Sequence, residues 1–310
     1  MATLTLFAEV FMANAPALDF TGFVARKKAE RAEGAMEGEH DYSYILDRQT
    51  RATFDSAKPI ELAIASAVRV FKEREKGNLL GHAVKVSHRQ FGRIHGITRE
   101  CSQTLGIAPP EVYITSSPHL NAGTYGTNEE SFIVIHSALV DQYADEELRF
   151  VIGHECGHIH NSHVVYLTTL HVLHLVARAY LGPLVMPAII PLMAWSRRAE
   201  ITCDRAGMLC SKDTHVAARA LTKLVVGSKK LYEEFNLDAF LEQYDEGKEG
   251  IGRYMEALAS HPFLPKRVLA MRVFAESGLY LKHAASSNTP SGLSMTEVDD
   301  RVKGLLKGDA

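Results

Sequence analysis

The sequence predicts a mainly α-helical protein with one small β-sheet, an α+β fold. Apolar residues recur at helical spacing through much of the chain, whereas two short stretches, EVYIT (111–115) and SFIVIH (131–136), are rich in β-forming residues. The chain has 310 residues, of which 46% are hydrophobic. It is therefore long enough to bury a sizeable core in one large domain or two small ones.

The composition argues against several classes of partner and compartment. The formal net charge is −3, and no long run of lysine or arginine offers a surface for nucleic acid or for anionic lipid. The four cysteines form no C-x-x-C pair and no disulfide framework, which favours a reducing compartment. No basic residue precedes Arg26, so the positive region of a secretory signal is missing. We expect a cytoplasmic protein without nucleic-acid partners.

The first part of the chain is predicted to hold an N-terminal appendage, two helices and the sheet. Residues 1–55 carry the charged patch ARKKAERAEGAMEGEHD, which is typical of a solvated helix or loop. Helical spacing predicts helices over 60–71 and 91–105, and Gly106 is the predicted stop of the second. The segment NAGTYG (121–126) lies between the two predicted strands.

The helix after the sheet has Asp145 as its predicted N-cap, and two further carboxylates follow in its first turn, where the helix dipole favours them. From Ser196 onwards the chain is predicted to be mostly helical, with a poorly ordered tail. The predicted organisation is therefore an appendage over 1–55, one domain over 56–283 and a flexible tail over 284–310.

The most apolar segment, 164–195, invites comparison with a membrane-spanning helix. Such a helix needs about 20 apolar residues, but Arg178 interrupts the segment, and Pro183, Pro187 and Pro191 follow at four-residue steps. Each proline removes a backbone hydrogen bond and disturbs the preceding turn. We therefore expect a buried helical hairpin that turns near Pro183 and returns irregularly. A segment that spans the membrane is the alternative.

The stretch VIGHECGHIHNSH contains the pattern H-E-x-x-H at His154, Glu155 and His158. On a helix, residues four apart lie on the same face, so the two imidazoles can bind one ion while Glu155 lies beside its open side. At about 100° per residue, His160 and His163 would point away from His158. We expect these two histidines at the surface.

A downstream helix offers a third ligand. SRRAEITCDRAGMLC places Glu200 and Asp204 four residues apart. A stripe of small residues on this helix would let another backbone approach closely: Ala199, Cys203, Ala206 and Cys210. Glu200 would then be the third ligand, and Asp204 could accept a hydrogen bond from the outer nitrogen of a ligating histidine. Alone, the E-x-x-x-D pattern is usually a solvated face; together with H-E-x-x-H it predicts a metal site.

The chain resembles the family of zinc metallopeptidases that includes the heat-shock protease HtpX and the CAAX prenyl protease. The resemblance rests on NAGTYG, GHECGHIHNSH, RRAEITCDRAG and HPFLPKRVLAMR, which occur in the family's order and cover roughly residues 60–280. It implies a zincin-like fold of the soluble bacterial type, in which an active-site helix faces a second ligand helix.

The resemblance also implies roles for residues of the motif helices. It implies one zinc ion per chain on His154, His158 and Glu200, with Glu155 as the general base. Asp204 would lie behind the ligands and hold one of the histidines.

Further roles follow from the flanking motifs. The resemblance implies that His261 stabilises the oxyanion and that Arg267 anchors the substrate cleft. A structural role at a helix entry stays open for His261, because a proline follows it. Asn121, Ala122 and Gly123 would belong to an edge strand to which an extended substrate adds.

The predicted function is that of a zinc-dependent endopeptidase acting on polypeptides in the cytoplasm. One alternative is an integral or membrane-associated protease of the same family acting on prenylated or lipid-embedded chains. The other is a non-catalytic zinc domain that holds a partner, although the intact Glu155 argues against it. The sequence predicts neither the cleavage specificity nor the oligomeric state.

Overall fold

The computed structural model describes residues 41–55, 77, 81–127, 130–176, 182–246, 264–284 and 292–306. The helices are α1 (Ile45–Asp55), α2 (Gly92–Thr104), α3 (Ser137–Gln142), α4 (Asp145–His160), α5 (Val164–Val176), α6 (Gly182–Ser211), α7 (Thr214–Val226), α8 (Lys229–Tyr232), α9 (Leu237–Glu246), α10 (Leu264–Ala275), α11 (Gly278–Ala284) and α12 (Met295–Leu305). The strands are β1 (Ala83–Lys85), β2 (Glu111–Thr115), β3 (Ala122–Gly126) and β4 (Ser131–His136). The predicted mainly helical fold with a small sheet is confirmed. The predicted helix over 60–71 and the predicted site residue His261 lie outside the described residues.

The four strands form one mixed sheet in the order β1-β2-β4-β3. Strands β2 and β4 pair in parallel and have the bounds that the sequence predicted, whereas β3 pairs antiparallel with β4. Strand β1 was not predicted, because its three residues are too few to show an alternating pattern. Ile133 and Ile135 of β4 are buried in the core. Within the described residues β3 is an edge strand, as predicted for the NAGTYG segment.

Helices α4 and α6 cross in close contact at the centre of the molecule. A Cβ atom added to Gly157 of α4 would lie 2.7 Å from Ala206 Cβ and 3.2 Å from Cys203 Cα of α6. Real Cβ atoms do not approach other carbons to 2.7 Å, so glycine is required for this crossing. The small residues of α6 thus contact the backbone of α4, as the sequence predicted for another, unnamed backbone.

The N-terminus of α4 differs by one residue from the prediction. Ala144, in an extended conformation, is the N-cap, and Asp145 is the first helical residue. The Ala144 N–H donates to Glu147 Oε2 at 2.8 Å, which is one half of a capping box, and alanine has no side-chain oxygen to form the other half. Arg219 and Lys223 of α7 each donate to the Glu147 carboxylate at 2.7 Å and balance its buried charge.

The predicted hairpin is confirmed, but its irregular return is wrong. Helix α5 runs to Val176 and α6 then continues without interruption from Gly182 to Ser211, through all three prolines. Pro183 lies in the first turn, where a missing N–H costs little. Pro187 and Pro191 are four residues apart, so the bonds that they remove lie on one side of the helix. In the part of the chain that the structure describes, no helix is both long and apolar enough to cross a membrane.

Residues 41–55 are part of the core, and the prediction of an appendage is wrong for them. The side chains of Tyr42 and Tyr44 are buried. Asp47 is buried as well, and its carboxylate accepts hydrogen bonds from Trp195 Nε1 at 2.8 Å and Thr202 Oγ1 at 2.7 Å. Because both donors belong to α6, more than 140 positions away in the chain, the local charge pattern could not reveal this packing.

The C-terminal helix α12 also packs on the core, so the prediction of a flexible tail is wrong for residues 292–306. Val298 and Val302 are fully buried. Asp299 Oδ1 accepts a hydrogen bond at 2.8 Å from the guanidinium of Arg205, a buried residue of α6. A buried arginine needs a carboxylate partner, and the partner comes from the segment that looks like a polar tail in the sequence.

We predict that Asp299→Ala destabilises the fold, because it leaves Arg205 as an uncompensated buried charge. The loss of one partner from a buried pair typically costs about 3–5 kcal/mol of unfolding free energy. Asp300→Ala is the matched control, because Asp300 pairs with Lys303 in solvent and such pairs contribute roughly 0–1 kcal/mol. Urea unfolding of both variants is the measurement, and equal midpoints would contradict the prediction.

Candidate metal centre

The structure brings His154 and His158 of α4 together with Glu200 of α6, as the sequence predicted. His154 Nε2 lies 3.5 Å from Glu200 Oε2, and His158 Nε2 lies 3.5 Å from Glu200 Oε1. The exposed fractions of the three residues are only 7%, 4% and 3%. Ligands held about 2.0–2.1 Å from a tetrahedral zinc ion lie about 3.3 Å from one another. Both printed distances to Glu200 are close to this separation, so the carboxylate lies where a ligand could stand beside either histidine.

A buried arginine holds the acidic side of this cluster. Arg267 of α10 donates to both oxygens of Asp204, at 2.8 and 2.7 Å, and lies 3.0 Å from Glu200 Oε2. Asp204 Oδ1 in turn lies 3.1 Å from His154 Nδ1, as the sequence predicted for a residue behind the ligands. The guanidinium of Arg267 is buried against these carboxylates. This position favours a role in holding Glu200 and Asp204 in place, in preference to the predicted contact with substrate.

The charge of the cluster favours a cation at the histidines. Burial disfavours the imidazolium of His154, but the carboxylates of Glu200 and Asp204 outweigh this effect and raise its pKa to about 10. Burial also favours the neutral acid of Asp204, yet Arg267 and His154 keep its pKa below the usual range. Nitrogen and oxygen donors in a site that attracts positive charge suit a divalent metal such as zinc.

The second histidine of the motif has a partner that the sequence analysis missed. His158 Nδ1 lies 3.2 Å from His163 Nδ1, and His163 Nε2 lies 3.0 Å from Asp47 Oδ2. The prediction that His163 is a surface residue is wrong, because α4 ends at His160 and Ser162 adopts a φ of 57°. The chain therefore folds back, and helical geometry no longer sets the direction of His163. The N-S pair before it is a turn signal that could have shown this.

Glu155 contacts the edge of the sheet. Its Oε2 atom accepts a hydrogen bond of 2.7 Å from Thr124 Oγ1 of β3, and both residues are buried. Asn121, Ala122 and Gly123, which the sequence analysis assigned to substrate, lie at the start of this strand and are more exposed. The carboxylate of Glu155, which lies between the two motif histidines in sequence, is thus held against β3, the strand that was predicted to bind substrate.

Cys203 is a second candidate for the third ligand, and the sequence analysis assigned it only to helix packing. Each of His154, His158 and Cys203 has one ligand atom within 4.8 Å of the others. However, Cys203 Sγ lies 3.6 Å from His163 Nδ1, the atom that faces the Nδ1 edge of His158. The Nε2 edge of His158 faces Glu200 instead. The sulfur thus has a close partner in His163, whereas the carboxylate faces the Nε2 atoms of both motif histidines.

A helix with H-E-x-x-H whose histidines face a glutamate of a second helix is the arrangement of a metallopeptidase. The chain belongs to Peptidase family M48, whose family model matches residues 88–274. This match confirms the resemblance on which the sequence analysis relied.

Several relatives carry protease names. The plastoglobule-localized metallopeptidase 48 of Arabidopsis thaliana is 36% identical over 197 residues, which are 59% of this chain and 57% of the relative. Protease HtpX of Alkalilimnicola ehrlichii is 28% identical over 56% of this chain and 67% of its own. Protease HtpX of Yersinia pestis is 27% identical over 59% of this chain and 72% of its own. The chain thus spans little more than half of the Arabidopsis relative. No solved structure matches the chain significantly.

We predict that Gly157→Ala destabilises the protein, because its methyl group would collide with Ala206 and push the two site helices apart. Overpacking of this kind costs about 1–3 kcal/mol of unfolding free energy. Gly96→Ala in α2 is the matched control, since a Cβ there meets nothing within 4 Å and the change to alanine gains up to about 1 kcal/mol of helix propensity. Urea unfolding compares the two, and a Gly157→Ala variant as stable as the wild type would contradict the close crossing.

Proposed function

We propose that this protein is a zinc-dependent endopeptidase that hydrolyses polypeptide substrates. The observation that carries the proposal is the position of one carboxylate, Glu200, opposite the Nε2 atoms of both His154 and His158, at 3.5 Å from each. Glu155 follows His154 in the same helix and supplies the base that peptide hydrolysis needs. Membership of Peptidase family M48 supports a polypeptide as the substrate.

His154, His158 and Glu200 would hold the zinc ion. We favour Glu200 over Cys203 because the carboxylate lies opposite both Nε2 atoms, whereas the sulfur lies 3.6 Å from Nδ1 of His163. Arg267 offsets the negative charge of Glu200 and Asp204, so the cluster does not depend on the metal alone for charge balance. Three protein ligands leave one position open, as in catalytic zinc sites.

The chemical roles follow from this arrangement. When bound, zinc polarises the scissile carbonyl and lowers the pKa of a bound water towards about 7. The Glu155 carboxylate accepts the proton of the attacking water and returns it to the leaving amine. Thr124 orients this carboxylate through the hydrogen bond to Oε2, which leaves Oε1 for the water. Asp204 holds the ring of His154 from the Nδ1 side.

The edge of the sheet would bind the substrate. Strand β3 pairs with β4 on one side, and among the described residues no strand pairs with its other side. The far end of β3 is covered, because Thr168 of α5 donates to the Gly126 carbonyl at 3.2 Å. An extended peptide could then add along Asn121, Ala122 and Gly123, next to the strand residue that contacts Glu155. His261 stays a proposal, either for the oxyanion or for a helix entry.

We predict that Glu155→Gln retains zinc and loses hydrolysis. An amide cannot accept the proton of the water, while the three ligands are unchanged. Loss of a general base typically costs about 10²–10⁴ in rate. Glu146→Gln is the control, because Glu146 lies exposed in the first turn of the same helix. Zinc content and cleavage of casein are the two measurements, and turnover of Glu155→Gln near that of the wild type would rule out this base.

We predict that the two candidate third ligands respond differently to substitution. Glu200→Ala should lose both zinc and activity, whereas Cys203→Ser should keep one zinc ion per chain. The measurement is the zinc content after dialysis against a weak chelator, with circular dichroism to confirm that both variants are folded. The opposite result, zinc retained in Glu200→Ala and lost in Cys203→Ser, would show that the sulfur is the ligand.

A further inference from the structure

A chain of buried side chains leads from the N-terminal segment to the candidate metal centre. His163 lies between His158 and Asp47, with its Nδ1 atom 3.2 Å from His158 Nδ1 and its Nε2 atom 3.0 Å from Asp47 Oδ2. The exposed fractions of His163 and Asp47 are 1% and 2%. Because buried polar groups are hydrogen-bonded, each of these direct contacts should join one donor to one acceptor.

The other partners of Asp47 fix the direction of these bonds. Its Oδ1 atom accepts from Trp195 Nε1, which is always a donor, and its Oδ2 atom accepts from Thr202 Oγ1. A carboxylate can only accept, so His163 must donate to it through Nε2–H. A neutral His163 then has its lone pair on Nδ1. The contact between the two imidazoles is favourable only when His158 carries its hydrogen on Nδ1, because the other group near this lone pair, the Cys203 thiol at 3.6 Å, is only a weak donor.

We propose that Asp47 and His163 are positioning residues that hold His158 in the tautomer with its hydrogen on Nδ1. The Nε2 atom of His158 is then unprotonated, and it is the atom that faces Glu200. The inference rests on the proposed function in one respect, namely that His158 binds the metal. Residues 41–55 then contribute to the metal centre, because Asp47, the first residue in this series of hydrogen bonds, belongs to α1.

Both histidines of the motif would then be oriented from behind, by different means. His154 Nδ1 lies 3.1 Å from Asp204, which Arg267 anchors directly. His158 reaches its carboxylate, Asp47, through one intervening imidazole. Such partners behind a ligand usually contribute about 10–100-fold to metal affinity.

Substitutions at both residues can reverse or preserve the hydrogen-bond direction. In Asp47→Asn the amide oxygen is needed by Trp195, so the amide nitrogen faces His163 and donates to Nε2. His163 then carries its hydrogen on Nδ1 and donates to His158, whose own hydrogen moves to Nε2, the metal-facing atom. His163→Asn places an amide oxygen near the position of Nδ1 and keeps an acceptor for His158. His163→Leu has a similar volume and provides none.

The experiment measures zinc affinity by competition with a chromophoric chelator at one pH for the full chain and these three variants. Asp47→Asn and His163→Leu should weaken zinc binding by about 10–100-fold, and His163→Asn should stay within a few-fold of the wild type. Nitrogen-15 spectra of histidine-labelled, zinc-free protein should show the hydrogen of His158 on Nδ1; the metal is left out because zinc bound at Nε2 would impose this tautomer by itself. If His163→Leu does not fold, the comparison of Asp47→Asn with His163→Asn and the spectra of the wild type still decide the proposal.

Wild-type zinc affinity in Asp47→Asn and His163→Leu would overturn the proposal, and so would an Nδ1 of His158 without hydrogen in the zinc-free protein. His158→Ala separates this failure from a failure of the proposed function. If His158→Ala binds zinc as tightly as the wild type, the ligand set itself is wrong. If His158→Ala loses zinc while Asp47→Asn and His163→Leu keep it, the ligand set stands and the positioning role is refuted.

Discussion

The close crossing of α4 and α6 is the constraint on which the site depends. Gly157 lies between the two histidines of the motif in sequence, and the absence of its side chain lets α6 approach to the distance of direct backbone contact. Only at that distance does Glu200, on a short carboxylate side chain, come within 3.5 Å of both imidazoles. The small residues of α6 allow the same close contact with α4, and α6 reaches it as the second helix of the hairpin with α5. The packing of the two helices therefore also brings together the residues of the candidate metal centre.

The crossing buries several charges, and the fold balances each of them with residues from distant parts of the chain. Arg267 of α10 pairs with Glu200 and Asp204, and Asp299 of α12 pairs with Arg205. A buried charge without a partner would cost several kcal/mol of unfolding free energy. These contacts therefore explain why α10 and α12 pack against α6. The acidic excess next to the two histidines then provides the negative environment that a divalent cation requires.

The sequence was sufficient for those features that depend on local spacing. The H-E-x-x-H helix, the acidic residues four apart on a second helix, and strands β2 and β4 all follow from periodicity or motif, and the structure places them as expected. Contacts between distant residues could not be predicted in this way. His163 was assigned to the surface because helical geometry was extended past the point where Ser162 ends it.

The segments at the two ends of the described chain show the same limit. Both were read as polar and detached from the core, yet Asp47 and Asp299 each meet a buried partner on α6. A single charged residue in a polar segment carries no local sign that its partner is buried. Likewise, three prolines at four-residue spacing predicted an irregular return, but Pro183 lies in the first turn of α6, and the bonds lost at Pro187 and Pro191 fall on one side of the helix.

The central claim is that one metal ion is bound by His154, His158 and Glu200, with Cys203 outside the ligand set. X-ray absorption at the zinc edge of the purified full-length protein tests it most directly, because nitrogen and oxygen ligands lie about 2.0–2.1 Å from zinc and sulfur lies about 2.3 Å away. We expect a shell of only nitrogen and oxygen, with the outer scattering of two imidazoles. A sulfur contribution at the longer distance would contradict the claim and assign Cys203 to the metal.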